Sequence, residues 1–417
     1  MKNKCILLAL LLSGMLIFSS CCKKTAPQQE KSQGVWDKNY LDTTDFNIVT
    51  SVNGFGFNLY ARLNPDENLI FSPLSISSAL AMTYAGAENN TQQQMAGVLG
   101  FVFDKKQVNE GFSALMNEMN VSSESYRISL ANSLWAQEQF YFKPEFLENM
   151  KKNYHSGFQF VNFINRPDEA REKINQWVSE KTEDKIKDIL SEKDINAATR
   201  LILVNAIYFN ATWAIVFDEK QTRPGDFFLM DGQKITVDMM QEHTGKYRYF
   251  ENDKLQFLSM DYAGKLYSMN ILLPKSPDKL PALEKAFSPG YFSELENMSK
   301  WQGVDVYLPR FTFSSSFSLK AILSAAGMSD AFDDNADFSG MTGKKNLMID
   351  NILHKAFIEV NEKGTEAAAS TAVVMMERAA LPEEKSEFKA DHPFFFYIKN
   401  NESGTIMFMG KVMNPKQ

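Results

Sequence analysis

Asn361-Glu362-Lys363-Gly364-Thr365-Glu366-Ala367-Ala368-Ala369-Ser370-Thr371-Ala372-Val373-Val374-Met375-Met376-Glu377-Arg378 is the stretch on which the reading of this chain turns. A charged, glycine-bearing turn is followed by small side chains and then by β-branched ones, a composition that suits an exposed loop and equally a strand buried on one face. As a strand, its two-residue period puts Thr365, Ala367, Ala369, Thr371, Val373 and Met375 on one face and Glu366, Ala368, Ser370, Ala372, Val374 and Met376 on the other. Glu366 is the one charge between Thr365 and Met376, so one face can be buried. Small side chains from Ala367 to Ser370 let such a strand slide between two neighbours without opening a wide gap. Taken alone, the residues leave an Ala-rich helix open as well. Compatibility with two states is the signature of a switch.

Outward from this stretch, the 417 residues are 44% hydrophobic and 23% charged, enough to bury a large core and too apolar for a disordered chain. No Pro/Gly/Ser-rich linker follows about residue 45 and no internal repeat occurs, so residues 45–417 read as one large domain. A net charge of −7 with no basic block speaks against nucleic acid as a partner. At the other end, Lys2 and Lys4 precede the apolar run Ile6 to Phe18, which closes in Ser19-Ser20-Cys21. This pattern predicts a lipoprotein signal peptide over residues 1–20, with Cys21 as the lipid-bearing residue and residues 21–44 as a polar tether to the membrane. Phe18 departs from the leucine usual at that place, and Cys22 leaves a second candidate. The apolar run is too short to span a bilayer comfortably. The expected location is a bacterial cell envelope, reached through the lipid, or secretion. Because Cys5, Cys21 and Cys22 all precede the domain, no disulfide, thiol nucleophile or cysteine-held metal is available within it.

Within the body, Ser72-Pro73 followed by Leu74, Ile76, Ala79, Leu80 and Met82 predicts a capped helix ending near Gly86. Ile174, Trp177, Val178 and Lys181 mark another. Leu201 to Phe209 is apolar except for Asn205, as in a central strand covered on both faces. Val304, Val306 and Leu308, then Phe311 and Phe313, alternate as strands. Leu319 to Gly327 reads as a helix stopped by glycine, and Phe394–Ile398 with Thr405–Met409 as a hairpin. Helices and strands mix without strict βαβ alternation, which gives an α+β class.

Motifs for catalysis do not appear. His155, His243, His354 and His392 are the four histidines, and none belongs to a His-Glu-x-x-His helix. No Gly-x-Ser-x-Gly elbow, Walker loop or Gly-x-Gly-x-x-Gly fingerprint occurs. The motif search therefore calls for no enzyme, cofactor or metal.

Several separated motifs resemble the serpin family across essentially all of residues 45–417. They are Phe71-Ser72-Pro73-Leu74-Ser75-Ile76, Asn175-Gln176-Trp177-Val178 with Thr182, Asn205-Ala206-Ile207-Tyr208-Phe209 with Trp213 and Phe217, and Leu308-Pro309-Arg310-Phe311. Further on stand Gly327-Met328 with Ala331-Phe332, His354-Lys355-Ala356, the segment Glu362 to Ser370, and Asp391-His392-Pro393-Phe394 with Phe408-Met409-Gly410-Lys411-Val412. Each is weak alone; in this order they are specific. The resemblance implies three β-sheets, eight to nine helices and an exposed reactive-centre loop over about residues 362–387. It further implies a suicide inhibitor: a protease attacks the loop, forms an acyl-enzyme, and is trapped as the loop enters the large sheet. A monomer is expected.

Carried over by position, the resemblance makes Gly364, Thr365, Glu366, Ala367, Ala368, Ala369 and Ser370 the hinge. Trp213, Glu362 and Arg310 become the breach where insertion starts, with Arg310 and Glu362 paired. Ser72, Ser75, Asn205 and His354 become a buried polar shutter. Counting along the hinge by the family's usual spacing puts the scissile bond between Arg378 and Ala379, which suits the acidic primary pocket of trypsin-like serine proteases. Two departures stand out: the segment from Ala379 to Pro393 is slightly long, and Glu377 falls on the inward parity of the inserted strand, where burial is costly. Cleavage after Met375, Met376, Ala380 or Leu381 by chymotrypsin-like or elastase-like enzymes stays open, as do cysteine proteases as targets. So does a non-inhibitory binding protein on the same scaffold.

Overall fold

The computed structural model describes residues 47–63, 66–119, 123, 125–154, 157–365 and 385–417. Cys21, the signal segment, the tether, and the loop residues Glu366–Ser370, Arg378 and Ala379 lie outside the described residues. The first half of the domain runs α1 (Ile48–Tyr60), β1 (Leu69–Phe71), α2 (Pro73–Tyr84), α3 (Asn89–Leu99), α4 (Lys105–Met119), β2 (Tyr126–Gln137), α5 (Pro144–Tyr154), β3 (Gly157–Val161), α6 (Pro167–Lys181) and β4 (Leu201–Thr212). There follow β5 (Arg223–Phe228), β6 (Lys234–Glu242), β7 (Lys246–Glu251), β8 (Leu255–Asp261), β9 (Tyr267–Pro274), α7 (Leu280–Glu284), α8 (Pro289–Met298) and β10 (Lys300–Pro309). The chain then forms β11 (Phe311–Ser318), α9 (Lys320–Ala325), α10 (Ser339–Thr342), β12 (Asn351–Asn361), β13 (Gly364–Thr365), β14 (Ser386–Lys389), β15 (Phe394–Asn400) and β16 (Ile406–Val412).

Six strands make one sheet in the order β11-β12-β13-β4-β2-β3. The others follow the order β1-β16-β15-β9-β8-β7-β10-β6-β5, with β14 added beside β10. In that path β10 is shared between two sheets: Lys300–Gly303 pair with β7, whereas Val306–Pro309 pair with β6. Three sheets result, as the sequence led one to expect. Ten α-helices stand among the described residues rather than eight to nine, because α7, α9 and α10 have only five, six and four residues. Helices that short carry no readable period.

Local chemistry explains the elements that matter most here. Ser72 caps α2, its Oγ accepting the Ser75 N–H at 3.1 Å, and Pro73 opens the first turn. Every residue of α2 is buried, so it is a core helix rather than an amphipathic one. β4 is covered on both faces: Leu203, Ile207, Phe209 and Ala211 point into the main core, while Ile202, Val204 and Ala206 meet Ala170, Ile174 and Val178 of α6 in a second one. The helical segment expected from Leu319 to Gly327 is α9, closed by Gly327 at φ +111°. β15 and β16 form the hairpin read from the sequence.

Candidate functional site

One end of the six-stranded sheet is parted. From Asn351 beside Ile202 to Ala356 beside Ile207, β12 and β4 pair directly and in parallel. Further along, Gly364 and Thr365 occupy the space between them: Thr365 pairs with Val360 on one side and Ala211 on the other, and Gly364 with Asn361 and Thr212. β13 is therefore a two-residue strand, reached from β12 by the tight turn Glu362-Lys363 and antiparallel to both neighbours. Thr365 is 1% exposed. Gly364 is required by close approach, since a Cβ there would lie 2.0 Å from the Ala211 carbonyl oxygen and 2.8 Å from Thr212 Cα.

The turn is gripped from three directions. The Trp213 backbone N–H donates to Lys363 O at 2.8 Å, the Phe217 N–H to Glu362 O at 3.0 Å, and the Trp213 indole N–H to Asn361 O at 3.0 Å. Arg310 faces the Glu362 carboxylate with Nε 2.8 Å from each oxygen, and Thr222 Oγ1 donates to the same group. Burial pushes the Glu362 carboxyl up, but the hydrogen bonds from Arg310 and Thr222 outweigh it and hold the carboxyl below its ordinary range. The Arg310 guanidinium is correspondingly pushed up, chiefly by its hydrogen bonds to Glu362. Trp213, Arg310 and Glu362 thus meet at the base of β13. Thr222 and Tyr262 belong to the same cluster, and sequence reasoning missed both. Neither sits in a motif; they arrive from the residue before β5 and the residue after β8 only through the fold.

Lower in the sheet lies a buried polar network. His354, Asn205 and Asn132 are level on the adjacent strands β12, β4 and β2. His354 Nε2 accepts the Ser72 N–H at 3.2 Å, so its proton sits on Nδ1, which donates to Asn205 Oδ1. Asn205 Nδ2 in turn donates to Ser75 Oγ at 2.6 Å and to Asn132 Oδ1. Ser75 Oγ donates to Asn132 Oδ1 at 3.0 Å, and Asn132 Nδ2 to Ser78 Oγ. Complete burial pushes the His354 imidazole down to about 3, so the ring is neutral. Ser72, Ser75, Asn205 and His354 are brought together; Asn132 and Ser78 complete the network and were missed. A signal existed for Asn132, a polar residue on the inward face of a strand facing the serine-rich helix α2.

Comparisons with known proteins agree with this architecture. The family pattern described as "Serpin (serine protease inhibitor)" matches residues 50–415. A serpin-like protein of Methanosarcina acetivorans is 40% identical over 375 residues, covering 89% of this chain and 87% of its own. Leukocyte elastase inhibitor of Sus scrofa is 39% identical over 374 residues, covering 87% and 97%, and human Serpin B3 is 37% identical over 382 residues, again covering 87% and 97%. Among solved structures, uncleaved ovalbumin superposes with a TM-score of 0.80 at 29% identity, covering 89% of this chain and all of ovalbumin. Human thyroxine-binding globulin with thyroxine gives 0.80 at 29% identity, covering 88% and 98%. The chain belongs to the serpin family of serine protease inhibitors.

Proposed function

We propose that this serpin traps serine proteases by the suicide route, with Arg378-Ala379 as the bond attacked and trypsin-like enzymes as the favoured targets. The observation that carries the reading is β13, a strand already started between β12 and β4. Its register says where the rest of the loop would go. Six residues on from Thr365 is Thr371, and six back from Ala211 and Val360 are Asn205 and His354. Insertion would therefore drive Thr371 between the two partners of the buried network, where its hydroxyl takes the place of their mutual hydrogen bond. Ten residues on, Met375 would reach Leu201, the first residue of β4. Glu377 and Arg378 would lie past the first residue of β4, beyond the paired ladder, so Glu377 need not be held inside the sheet.

The energies suit the mechanism. About ten added strand residues, each ladder hydrogen bond contributing a net ~0.5–1.5 kcal/mol, together with burial of the Ala367-to-Met375 face, supply on the order of 10 kcal/mol. That is enough to disorder a protease active site. Titration of residues 23–417 against trypsin, followed by a denaturing gel and mass spectrometry, tests the reading. A denaturant-stable complex with a released peptide beginning at Ala379 is expected. Cleavage without any complex, by trypsin and by elastase-like and chymotrypsin-like enzymes alike, would overturn inhibition and favour a non-inhibitory binding protein.

The location proposed is the bacterial envelope, with lipid on Cys21. It rests on Lys2 and Lys4, the run Ile6 to Phe18, and Ser19-Ser20-Cys21. Cys21→Ser should release the protein from membranes, and continued membrane retention would count against the anchor.

A further inference from the structure

Tyr262 stands immediately after β8, on the core side of the parted sheet. Its hydroxyl and the Thr365 hydroxyl are 2.6 Å apart, both buried. The ring is held so that it cannot turn away: it stacks on Trp213 at 4.5 Å with an interplanar angle of 11°, and the edge contact with Phe209 is 5.1 Å at 78°. Backbone bonds fix its position as well, since the Tyr262 N–H donates to Tyr267 O at 2.9 Å and Trp213 and Tyr262 form an antiparallel bridge. Among the described residues, Thr365 is the hydrogen-bond partner of this fully buried hydroxyl.

The consequence is an energetic asymmetry. If Gly364 and Thr365 swung out of the sheet, the Tyr262 O–H would be left buried and unpaired, which costs more than an average hydrogen bond returns. We infer that Tyr262 is a positioning residue that latches Thr365 in the sheet, so that the resting protein keeps the first two residues of the loop already inserted. Insertion after acylation then starts from an existing strand and skips the step with the poorest return, the opening of β12 from β4 before any new ladder bond forms. Trp213 serves the same end at one remove: its backbone and indole N–H groups grip the turn, while its ring face aims the tyrosine. This inference rests on the proposed insertion mechanism for its kinetic consequence, but the latch itself does not.

Two variants test it in the full-length protein. Tyr262→Phe keeps the stacked ring and deletes the hydroxyl; Thr365→Val keeps the side-chain shape and deletes the other half of the same bond. Deuterium exchange of the peptide spanning residues 359–365 should quicken roughly 5-fold in either, with the double variant no faster than the singles. Peptides from β15 and β16 should be unchanged, which a loss of general stability would not spare. Unchanged exchange at 359–365 in both variants, or fully additive effects in the double variant, would overturn the latch. With a protease that wild type traps, Tyr262→Phe should raise the moles of inhibitor consumed per mole of enzyme trapped while leaving the rate of first attack on the loop unchanged. An unaltered stoichiometry would overturn the kinetic role. A wild type that traps nothing would sink the proposed function instead, and the exchange result would still decide the latch.

Discussion

Arg310 Nε lies 2.8 Å from both carboxylate oxygens of Glu362, and this forked pair clamps the base of the only two loop residues, Gly364 and Thr365, seated in the sheet among the described residues. The pair sits at the rim: the Glu362 side chain is 4% exposed and that of Arg310 41%. A forked guanidinium fixes direction as well as charge, which a lysine would not.

Glu362→Gln should weaken this clamp. Solvent around Arg310 limits the loss to about 1 kcal/mol in urea unfolding at pH 7. Because the folded carboxyl titrates below its unfolded value, its contribution is fully present above about pH 4.3 and disappears as pH falls through the folded value. The difference between wild type and Glu362→Gln should therefore vanish in strong acid.

His354 predicts a second, separate acid sensitivity. Its folded value of about 3 is below that of the unfolded chain, so the unfolded state binds more protons between about pH 6.5 and 3, and stability falls as pH is lowered through that window. At pH 5 the loss from this residue is about 2 kcal/mol. His354→Gln should be less stable than wild type at pH 7 and lose less between pH 7 and 5; equal slopes in the two proteins would refute the assignment.

Asn205→Ala would strip partners from His354 Nδ1, Ser75 and Asn132 at once. Buried groups left unpaired in one network cost about 3 kcal/mol or more, and chemical denaturation should read that directly. Asn132→Ala, one bond further from His354, should cost less.

Gly364→Ala is expected to expel β13 rather than to unfold the domain. The added Cβ would collide with backbone atoms of Ala211 and Thr212, which have no flexible side chain to move aside. Overpacking of this kind costs about 1–3 kcal/mol, comparable to what two seated residues gain. Exchange at residues 359–365 should rise sharply with little change in the midpoint of global unfolding.

Thr371→Val probes the register drawn through β13. If Thr371 arrives between Asn205 and His354, replacing its hydroxyl leaves His354 Nδ1 and Asn205 Oδ1, which bond each other in the intact form, without that partner in the inserted state alone. The loop-cleaved form of the variant should gain less thermal stability over the intact form than wild type does, while the intact forms melt together. An equal gain would place another residue at that level.

Much of this fold is legible in local chemistry. Ser72-Pro73 announces α2, the apolar run around Asn205 announces a strand covered on both faces, and the Phe394 and Phe408 clusters announce the terminal hairpin. The one-turn helices α7 and α10 were not legible, because four or five residues complete little more than one turn and show no repeat of the period. Nor was the division of β10 between two sheets, which depends on which neighbour each half meets.

The site divides along the same line. By itself the sequence determined that Gly364 to Met375 suits both loop and strand, since small and β-branched side chains with a single charge carry that property locally, whatever surrounds them. It also marked Asn205 as a polar residue in apolar company, while His354 was picked out through the family resemblance. Tertiary structure alone decided that Asn132 lies level with both, that Tyr262 meets Thr365 across 103 positions of chain, and that the sheet is opened by two residues at rest. These are matters of strand register and of which side chain a closed core leaves opposite another. A single residue's chemistry sets what it can bond to; only the packed fold sets what it finds there.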